Sequence, residues 1–395
     1  MRSTRSPASV LADMRRRALG PILAVATAAN AYAAPSYTVI DLGVPDDSTD
    51  PSIVQAMGLN SLGEVTGYYS LAGGGQHAFL YTHGVMLDLG TLGGSYSVGI
   101  AVDDASQVTG SSRPGDSSSE EHAFLHNGVF MQDLGTLGGT LSQGVGINAS
   151  GEVAGEAALD ATVRHAFRFN GTFMEDLGVL GGSSSHGFDI NDVGMVTGGS
   201  TSQEGPMHAF VYDGVQMHDL GTLGVSPSEG RGINATGQVT GFSFASTRDG
   251  SFQHAFFHDG VTMHDLGTLG GAKSFGNSIN DDGLVVGTSD VDQTTLTHAF
   301  LWDGAMHDLN DLVTDLPPGV TIELQSAQYG GSINASGQIA ATGRYLTGGP
   351  AFALRAFLLT PIPPVPEPAA TGSAAAAAAV LVAIAARSRS GRAAP

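Results

Sequence analysis

Short apolar runs alternate with tight polar turns along residues 37–359, and the whole pattern repeats. The tripeptide His-Ala-Phe marks the repeat, and its successive copies are 43 to 46 residues apart. A period of that length is typical of propeller blades or of solenoids. The copies begin at His77, His122, His165, His208, His254 and His298, with a degenerate copy at Arg355.

Each period contains four short apolar runs separated by two kinds of turn. In the first turn an Asn opens and a Gly closes a type I turn, and in the second an Asn-Gly or Asp-Gly pair favours a type I′ hairpin. The pattern predicts four strands: A ends in Ile-Asn, B follows the first turn, C carries His-Ala-Phe, and D ends in Asp-Leu-Gly. The first turn at Asp103 has Ser106 in place of Gly, so we expect that turn to be more strained or differently shaped.

Counting the strands predicts an all-β, seven-bladed propeller over residues 35–360. A lone D strand, Tyr37 to Gly43, precedes six complete sets, and strands A, B and C follow between Ser332 and Leu359. Pairing the first strand with the last blade would close the ring and remove an exposed sheet edge. A solenoid would need polar caps instead, and the sequence has none at either end.

Both ends of the chain depart from the repeat. Residues 1–33 combine arginines with an apolar run that ends in Ala31-Tyr32-Ala33, the pattern of a secretory signal peptide. Residues 361–368 form a Pro-rich linker, and residues 369–395 form an Ala-rich segment followed by arginines. That segment predicts a transient membrane contact, because 18 residues barely span a bilayer as a helix.

The composition excludes several classes of site. Between residues 35 and 365 there are 35 Asp and Glu residues against 8 Lys and Arg, a net charge of about −27 that disfavours nucleic acid. The chain has no Cys, and equivalent histidines of different blades cannot converge on one metal ion, so we expect neither a metal site nor a cofactor.

The repeated histidines are instead predicted to be structural. Each would clip its blade to a neighbour through a buried hydrogen bond, with the Asp of Asp-Leu-Gly as one acceptor. Those acceptors are Asp88, Asp133, Asp176, Asp219 and Asp265, with Asp308 in a variant copy.

The candidate binding site follows from the topology of the blades. The B-to-C and D-to-A connections vary and lie at one end of the ring, and variable loops on a rigid scaffold often bind ligands. A Gly recurs in each A strand, as crowding at a narrow axis would require, and the residue before it varies. The predicted channel-mouth residues are Gln143, His186, Asp189, Glu229, Arg231, Phe275 and Tyr329.

The sequence also resembles known families. The repeat, with its HAFLY, HAFLH, HAFLW and DLGTLGG motifs, resembles the HAF family of bacterial extracellular repeats. The tail resembles the PEP-CTERM sorting signal, with Val365, Pro366, Glu367 and Pro368 as its motif. These resemblances imply a Gram-negative exported protein whose tail is recognised by an exosortase-type protease, and neither family carries a settled biochemical activity.

Together these features favour a secreted or cell-surface protein that binds without catalysis, or a matrix protein, with extracellular polysaccharide as one candidate partner. No phosphate loop, zinc-protease motif or nucleophile elbow is present in the required context. The alternative is a glycan lyase or hydrolase at the channel mouth, for which Glu229, Asp189 and His186 are the candidate residues.

Overall fold

The computed structural model describes residues 35–45, 53–116, 120–203, 205–247, 250–292, 296–327, 332–347 and 354–363. It is an all-β, seven-bladed propeller, which confirms the predicted fold class. Six blades are four-stranded antiparallel sheets formed by consecutive strands, so the Asn and Asn-Gly or Asp-Gly turns of the repeat do join neighbouring strands.

The strands of these six blades follow in chain order, with strand A of each blade listed first. The first three blades are β2 (Val54–Leu59), β3 (Val65–Ser70), β4 (Gln76–Thr82) and β5 (Val85–Asp88); β6 (Ser97–Val102), β7 (Val108–Ser112), β8 (His122–His126) and β9 (Met131–Asp133); and β10 (Ser142–Ile147), β11 (Val153–Ala158), β12 (Arg164–Phe169) and β13 (Met174–Asp176). The next three are β14 (Gly181–Ile190), β15 (Val196–Ser202), β16 (Met207–Tyr212) and β17 (Met217–Gly221); β18 (Gly224–Ile233), β19 (Val239–Thr247), β20 (Gly250–His258) and β21 (Met263–Asp265); and β22 (Ser274–Ile279), β23 (Val285–Asp290), β24 (Thr297–Trp302) and β25 (Met306–Asp308).

The seventh blade is built from both ends of the described chain. Its strands A to C are β27 (Thr321–Ser326), β28 (Ile339–Thr347) and β29 (Leu354–Ile362), and its strand D is β1 (Ser36–Asp41). The antiparallel register runs from Tyr37 opposite Pro361 to Asp41 opposite Phe357, which confirms closure by the first strand. The Tyr37 side chain is 1% exposed, so this strand belongs to the core as well as to the sheet.

Two features of this blade were not predicted. A short helix, α1 (Leu309–Leu312), and a fifth strand, β26 (Val313–Asp315), follow the sixth blade, and β26 lies parallel to β1 at the outer edge. The prediction that strand A of the seventh blade follows Ser332 is wrong, because the strand lies earlier in the chain. The inner strand is β27, and only a single bridge between Ile333 and Ile339 remains where the repeat pattern placed it.

The core lies between neighbouring blades. In each blade the Phe of strand C is almost completely buried, and it packs against apolar residues of an adjacent sheet; Phe124, for example, contacts Ala78 and Leu80 of the preceding blade. Replacing such a Phe with Ala typically costs about 3–5 kcal/mol. The buried set is Phe79, Phe124, Phe167, Phe210, Phe256, Phe300 and Phe357.

Candidate functional site

The A strands of the first six blades contact one another in succession around the axis, so they line the channel. Each has a β-bulge at the same position, and a bulge re-aims one side chain away from the regular alternation. We call these seven residues the bulge residues. They are Met57, Ile100, Val145, Phe188, Arg231, Asn277 and Gln325.

The bulge residues divide the channel into an apolar and a polar side. In the first four blades they are apolar, and Ile100 and Val145 form a cluster with Met57 and Phe188. In the last three blades they are polar, and Arg231 donates a hydrogen bond from Nη1 to Asn277 Oδ1 at 3.0 Å. At the level of the bulge residues, a ligand in the channel therefore meets hydrogen-bonding side chains on one side only.

The recurring Gly of strand A is explained by a neighbouring blade and not, as predicted, by crowding at the axis. A Cβ on Gly99 would lie 2.2 Å from Thr66 Oγ1 of the preceding blade, and one on Gly276 would lie 2.1 Å from Thr240 Oγ1. Heavy atoms cannot approach that closely, so the Gly permits the blades to pack together.

The residue before this Gly faces a residue of strand B across the sheet, and the two sets form a ring at the variable end of the channel, which we call the mouth. Tyr329, predicted here for the seventh blade, lies outside the described residues, and the register places Glu323 at the equivalent position. The strand A members are Gln55, Val98, Gln143, His186, Glu229, Phe275 and Glu323. Their partners are Tyr68, Ser111, Glu156, Gly199, Phe242, Thr288 and Arg344.

Glu156 joins Arg164 and His186 at the mouth. Arg164 Nη1 donates to its Oε1 at 2.5 Å, and His186 Nδ1 forms a short hydrogen bond with its Oε2. Burial alone would raise the pKa of Glu156, but the bonds and charges of His186 and Arg164 outweigh burial and lower it. The hydrogen bond with Glu156 raises the pKa of His186 and outweighs burial, which lowers it. Each partner therefore stabilises the charged form of the other.

Arg231 is fixed from four directions. Its Nε donates to Glu229 Oε1 at 3.1 Å, and its guanidinium lies 4.9 Å from the ring centre of Phe242 and 5.2 Å from that of Phe275. The fourth contact is the bond to Asn277. Such cation–π contacts contribute about 0.5–2 kcal/mol each. The guanidinium is consequently a rigid, oriented donor at the mouth.

These two clusters lie next to each other. The negative charge of Glu229 also raises the pKa of His186, which places the two side chains within electrostatic reach. A chain of polar side chains thus runs across four blades. In order, it contains Arg164, Glu156, His186, Glu229, Arg231 and Asn277.

The remaining predicted residues lie at the edges of this chain. Gln143 lines a small cavity of about 100 Å³ together with Glu156 and Arg164. Asp189 is not part of the mouth, because its Oδ2 accepts the backbone N–H of Ile233 at 3.0 Å, further along the channel. Burial raises the pKa of Asp189 to about 7, against the lowering effect of its bonds to backbone amides.

The repeated histidines have the predicted acceptors, but these acceptors lie in the same blade, so the prediction that the His–Asp bond clips neighbouring blades is wrong. His208 does reach the next blade through its other ring nitrogen, since its Nε2 lies 3.1 Å from Ser226 Oγ. Each His pairs through Nδ1 with the Asp of strand D in its own blade, at 2.6 to 2.9 Å, and its side chain is 13–21% exposed. Blades are joined instead by a Ser at the start of the next strand A. Ser97 Oγ, for example, accepts from Ala78 N at 2.8 Å and donates to Gly90 O at 2.6 Å.

A second ring of hydrogen bonds joins the blades at the opposite end of the channel, which we call the tight-turn end. The buried Asn that opens each A-to-B turn donates from Nδ2 to the backbone carbonyl of its counterpart in the next blade, and Asn334 closes the ring onto Asn60 at 3.0 Å. Asp103 has no such donor. The ring residues are Asn60, Asp103, Asn148, Asn191, Asn234, Asn280 and Asn334.

Within the described ranges, no three His, Asp or Glu residues converge in a way that could hold a metal ion. In the same part of the chain, no helix has the length and apolar character needed to cross a membrane. The predicted signal peptide and the Val365–Pro368 motif lie outside the described residues.

Sequence reasoning did not name Glu156, Arg164, Phe242 or Asn277 as site residues, although the first three bound variable B-to-C connections. For Glu156 and Phe242 the available signal was their position on strand B, directly across from Gln143 and Glu229 of strand A. Cross-strand neighbours interact as pairs, so each variable position of strand A should have been considered with its partner.

No protein-family model matches the sequence, and neither does any curated protein. Among solved structures, the chain is similar to the β-propeller domain of the Trilobed protease from Pyrococcus furiosus, with a TM-score of 0.48 and 8% identity over 79% of this chain and 94% of that one. It is also similar to TolB from Acinetobacter baumannii, with a TM-score of 0.41 and 11% identity over 76% and 80% of the two chains. A third is XC5397 from Xanthomonas campestris, a gluconolactonase, with a TM-score of 0.39 and 10% identity over 84% and 92%.

Proposed function

We propose that the protein is an exported, non-catalytic binding protein of the cell surface whose mouth binds extracellular polysaccharide. The observation that carries this proposal is that the mouth carboxylates of the third, fifth and seventh blades are each fixed by Arg or His side chains. Glu156 pairs with Arg164 and His186, Glu229 pairs with Arg231, and Glu323 pairs with Arg344 at 3.1 Å. The result is a rigid surface of oriented donors, acceptors and aromatic rings.

Such a surface suits recognition better than proton transfer. A general acid must hold a proton near neutral pH, which requires a raised pKa. Glu156 has the opposite shift, because His186 and Arg164 stabilise its anion. Carboxylates and guanidinium groups held in place can still accept from and donate to sugar hydroxyls, and their fixed geometry limits the entropy lost on binding.

The distribution of charge also favours this end of the molecule. Among the residues that the structure describes there are seven Lys and Arg residues, and six of them lie at or near the mouth end, whereas Arg168 pairs with Glu175 elsewhere. The body has a net charge of about −27, and this concentration of positive charge locally reduces the repulsion of electron-rich ligands. The six Lys and Arg residues at this end are Arg113, Arg164, Arg231, Lys273, Arg344 and Arg355.

The positions of the two ends of the folded body suit display on a cell. Ser36 lies opposite Ile362 in the closing sheet, and Gln338 of an A-to-B turn donates to Thr360 Oγ1 at 3.1 Å. Both ends of the described body therefore leave at the tight-turn end. We infer that the signal peptide directs export from a Gram-negative cell, and that an exosortase-type protease recognises Val365–Pro368. A tether through the tail would then point the mouth away from the membrane.

The alternative is a glycan lyase or hydrolase working at the same channel. One observation favours it: burial raises the pKa of Asp189 to about 7, which a general acid needs. Against it, both oxygens of Asp189 accept backbone amides, of Ile190 at 2.9 Å and of Ile233 at 3.0 Å. Those bonds account for the position of the carboxyl group without a substrate.

A polysaccharide panel separates the two functions. The purified protein is titrated with neutral and acidic extracellular polysaccharides, and each mixture is analysed for shortened products. Binding without depolymerisation is the expected result, and it should weaken in Arg231→Gln but not in Asp259→Asn, which lies in a C-to-D turn at the tight-turn end. Product formation that Asp189→Asn abolishes would establish the enzyme instead, and the lack of binding to every polysaccharide would refute the proposal.

A further inference from the structure

A second cavity opens at the mouth where the sixth, seventh and first blades meet. It has a volume of about 310 Å³, and its walls include Gln55 of strand β2, Phe275 of β22 and Gln325 of β27. Small-molecule sites occupy roughly 300–1,000 Å³, so this cavity has room for a short ligand segment, not for a long one. It lies next to the Arg231 cluster, because Phe275 belongs to both.

The walls of the cavity carry a balanced set of groups. Among the described residues of the lining, Lys273 is the one cation and Asp290 the one anion, so their charges balance, although the body as a whole is strongly acidic. The other polar groups are amides and hydroxyls, including Thr288 on β23. Amides and hydroxyls can both donate and accept, which matches the hydroxyl groups of a sugar.

Two of these groups are held in place by their neighbours. Gln325 Nε2 donates to Glu323 Oε1 at 2.7 Å, and Tyr68 donates to Gln55 Oε1 in a short hydrogen bond. Within the part of the chain that the structure describes, the Gln325 carbonyl oxygen therefore stays available as an acceptor, and the Gln55 amide nitrogen stays available as a donor. Phe275 adds an apolar ring, whose position is fixed by an edge contact with Phe242 at 5.4 Å between ring centroids.

We propose that this cavity is a subsite for one or two neutral sugar units of the bound polysaccharide. The proposal rests on the proposed function and adds a chemical class to it. A neutral sugar offers one apolar ring face and several hydroxyls, and the cavity offers one aromatic ring and oriented amides. A uronate unit fits less well, because the charge of Lys273 is already balanced by Asp290 within the same wall and the surrounding body repels anions.

The test is calorimetric titration of the full exported protein with neutral hexasaccharides (cellohexaose, laminarihexaose and maltohexaose) and with hexagalacturonate as the acidic probe. The variants are Gln325→Ala and Phe275→Ala, and Gln216→Ala is the matched control, because Gln216 is an exposed amide in a C-to-D turn at the other end. The variant Arg231→Gln tests whether the rest of the mouth contributes to binding.

The expected result is that at least one neutral hexasaccharide binds, that Gln325→Ala weakens it about three- to tenfold through a lost hydrogen bond, and that Gln216→Ala leaves it unchanged. Phe275→Ala should weaken binding at least as much, and thermal melting shows whether that variant is folded. Binding that only Arg231→Gln weakens would overturn the subsite while leaving the proposed function standing. Tighter binding of hexagalacturonate than of all neutral probes would overturn the chemical class. No binding by any probe would overturn both proposals.

Discussion

The substitution Asp103→Asn should stabilise the protein, because it completes the ring of hydrogen bonds at the tight-turn end. Asp103 is 5% exposed and occupies the position that Asn holds in the other six blades. Its Oδ1 already accepts the amides of Ala105 and Gln107, as Asn Oδ1 does elsewhere. The difference lies at Oδ2, which takes the place of the Asn Nδ2 group. A carboxylate oxygen cannot donate a hydrogen bond to the backbone carbonyl of Asn148 in the next blade.

The fifth blade shows what the substitution would create. There Asn234 Nδ2 donates both to Gln238 Oε1 at 2.8 Å and to Asn280 O at 3.1 Å. Gln107 stands in the place of Gln238 and now donates to Asp103 Oδ2 at 2.8 Å. A rotation of the Gln107 amide would reproduce the same arrangement. One additional hydrogen bond contributes about 0.5–1.5 kcal/mol, and removal of a buried anion adds to it at neutral pH.

The effect should depend on pH with a definite sign. Burial raises the pKa of Asp103 above its ordinary value, despite the hydrogen bonds from Gln107 that lower it. The folded state therefore binds the proton more tightly than the unfolded state, and the free energy of unfolding of the wild type falls as pH rises through that window. The gain from Asp103→Asn should consequently be larger at pH 7 than at pH 4.

Urea denaturation at the two pH values measures both effects. The converse variant Asn148→Asp is the matched control, because it removes the bond to Asn191 O at 3.2 Å and should destabilise the protein by a similar amount. An Asp103→Asn protein that is less stable than the wild type at pH 7, or a gain that does not change with pH, would show that the ring does not act as described.

Three further predictions follow from the fold and the termini. Deleting residues 35–45 should lower the melting temperature sharply, because it removes strand β1 and the buried Tyr37 side chain; a truncated protein that melts like the full body would disprove closure. Asp189→Asn should flatten the fall in unfolding free energy between about pH 4 and pH 7, where a pKa near 7 implies a loss of up to about 4 kcal/mol in the wild type; equal slopes in both proteins would contradict it. Mass spectrometry of protein from its native cells should show a C-terminus within or near Val365–Pro368, whereas an intact Pro395 would exclude processing.

The sequence predicts the number of blades and their closure because turns are local. Asn-Gly and Asp-Gly pairs specify hairpins within a few residues, and the lone strand at Tyr37 is visible as an unpaired D strand. The inner strand of the seventh blade escaped prediction, because β27 follows a helix and an extra strand and lacks the Asn that ends the other A strands. Residues Thr321–Ser326 contain none of the repeat's motifs.

The site was predicted less completely because it depends on contacts between strands and between blades. His186, Glu229, Arg231 and Phe275 were found through their variable position in a repeat. Their partners depend on register: Glu156 lies opposite Gln143 and bonds His186 of the next blade, which no local pattern reveals. The Asn ring was missed for another reason, since the turn already explained every Asn and gave no cause to seek a second role.

Hydrogen exchange with and without a bound polysaccharide tests the central claim most directly, because it locates the ligand on the intact protein. The account predicts slower exchange at the mouth, in the segments that contain Glu156, His186, Arg231 and Phe275, with no change in the turns around Asn127 and Asp259. Protection centred on those turns, at the opposite end of the ring, would contradict it.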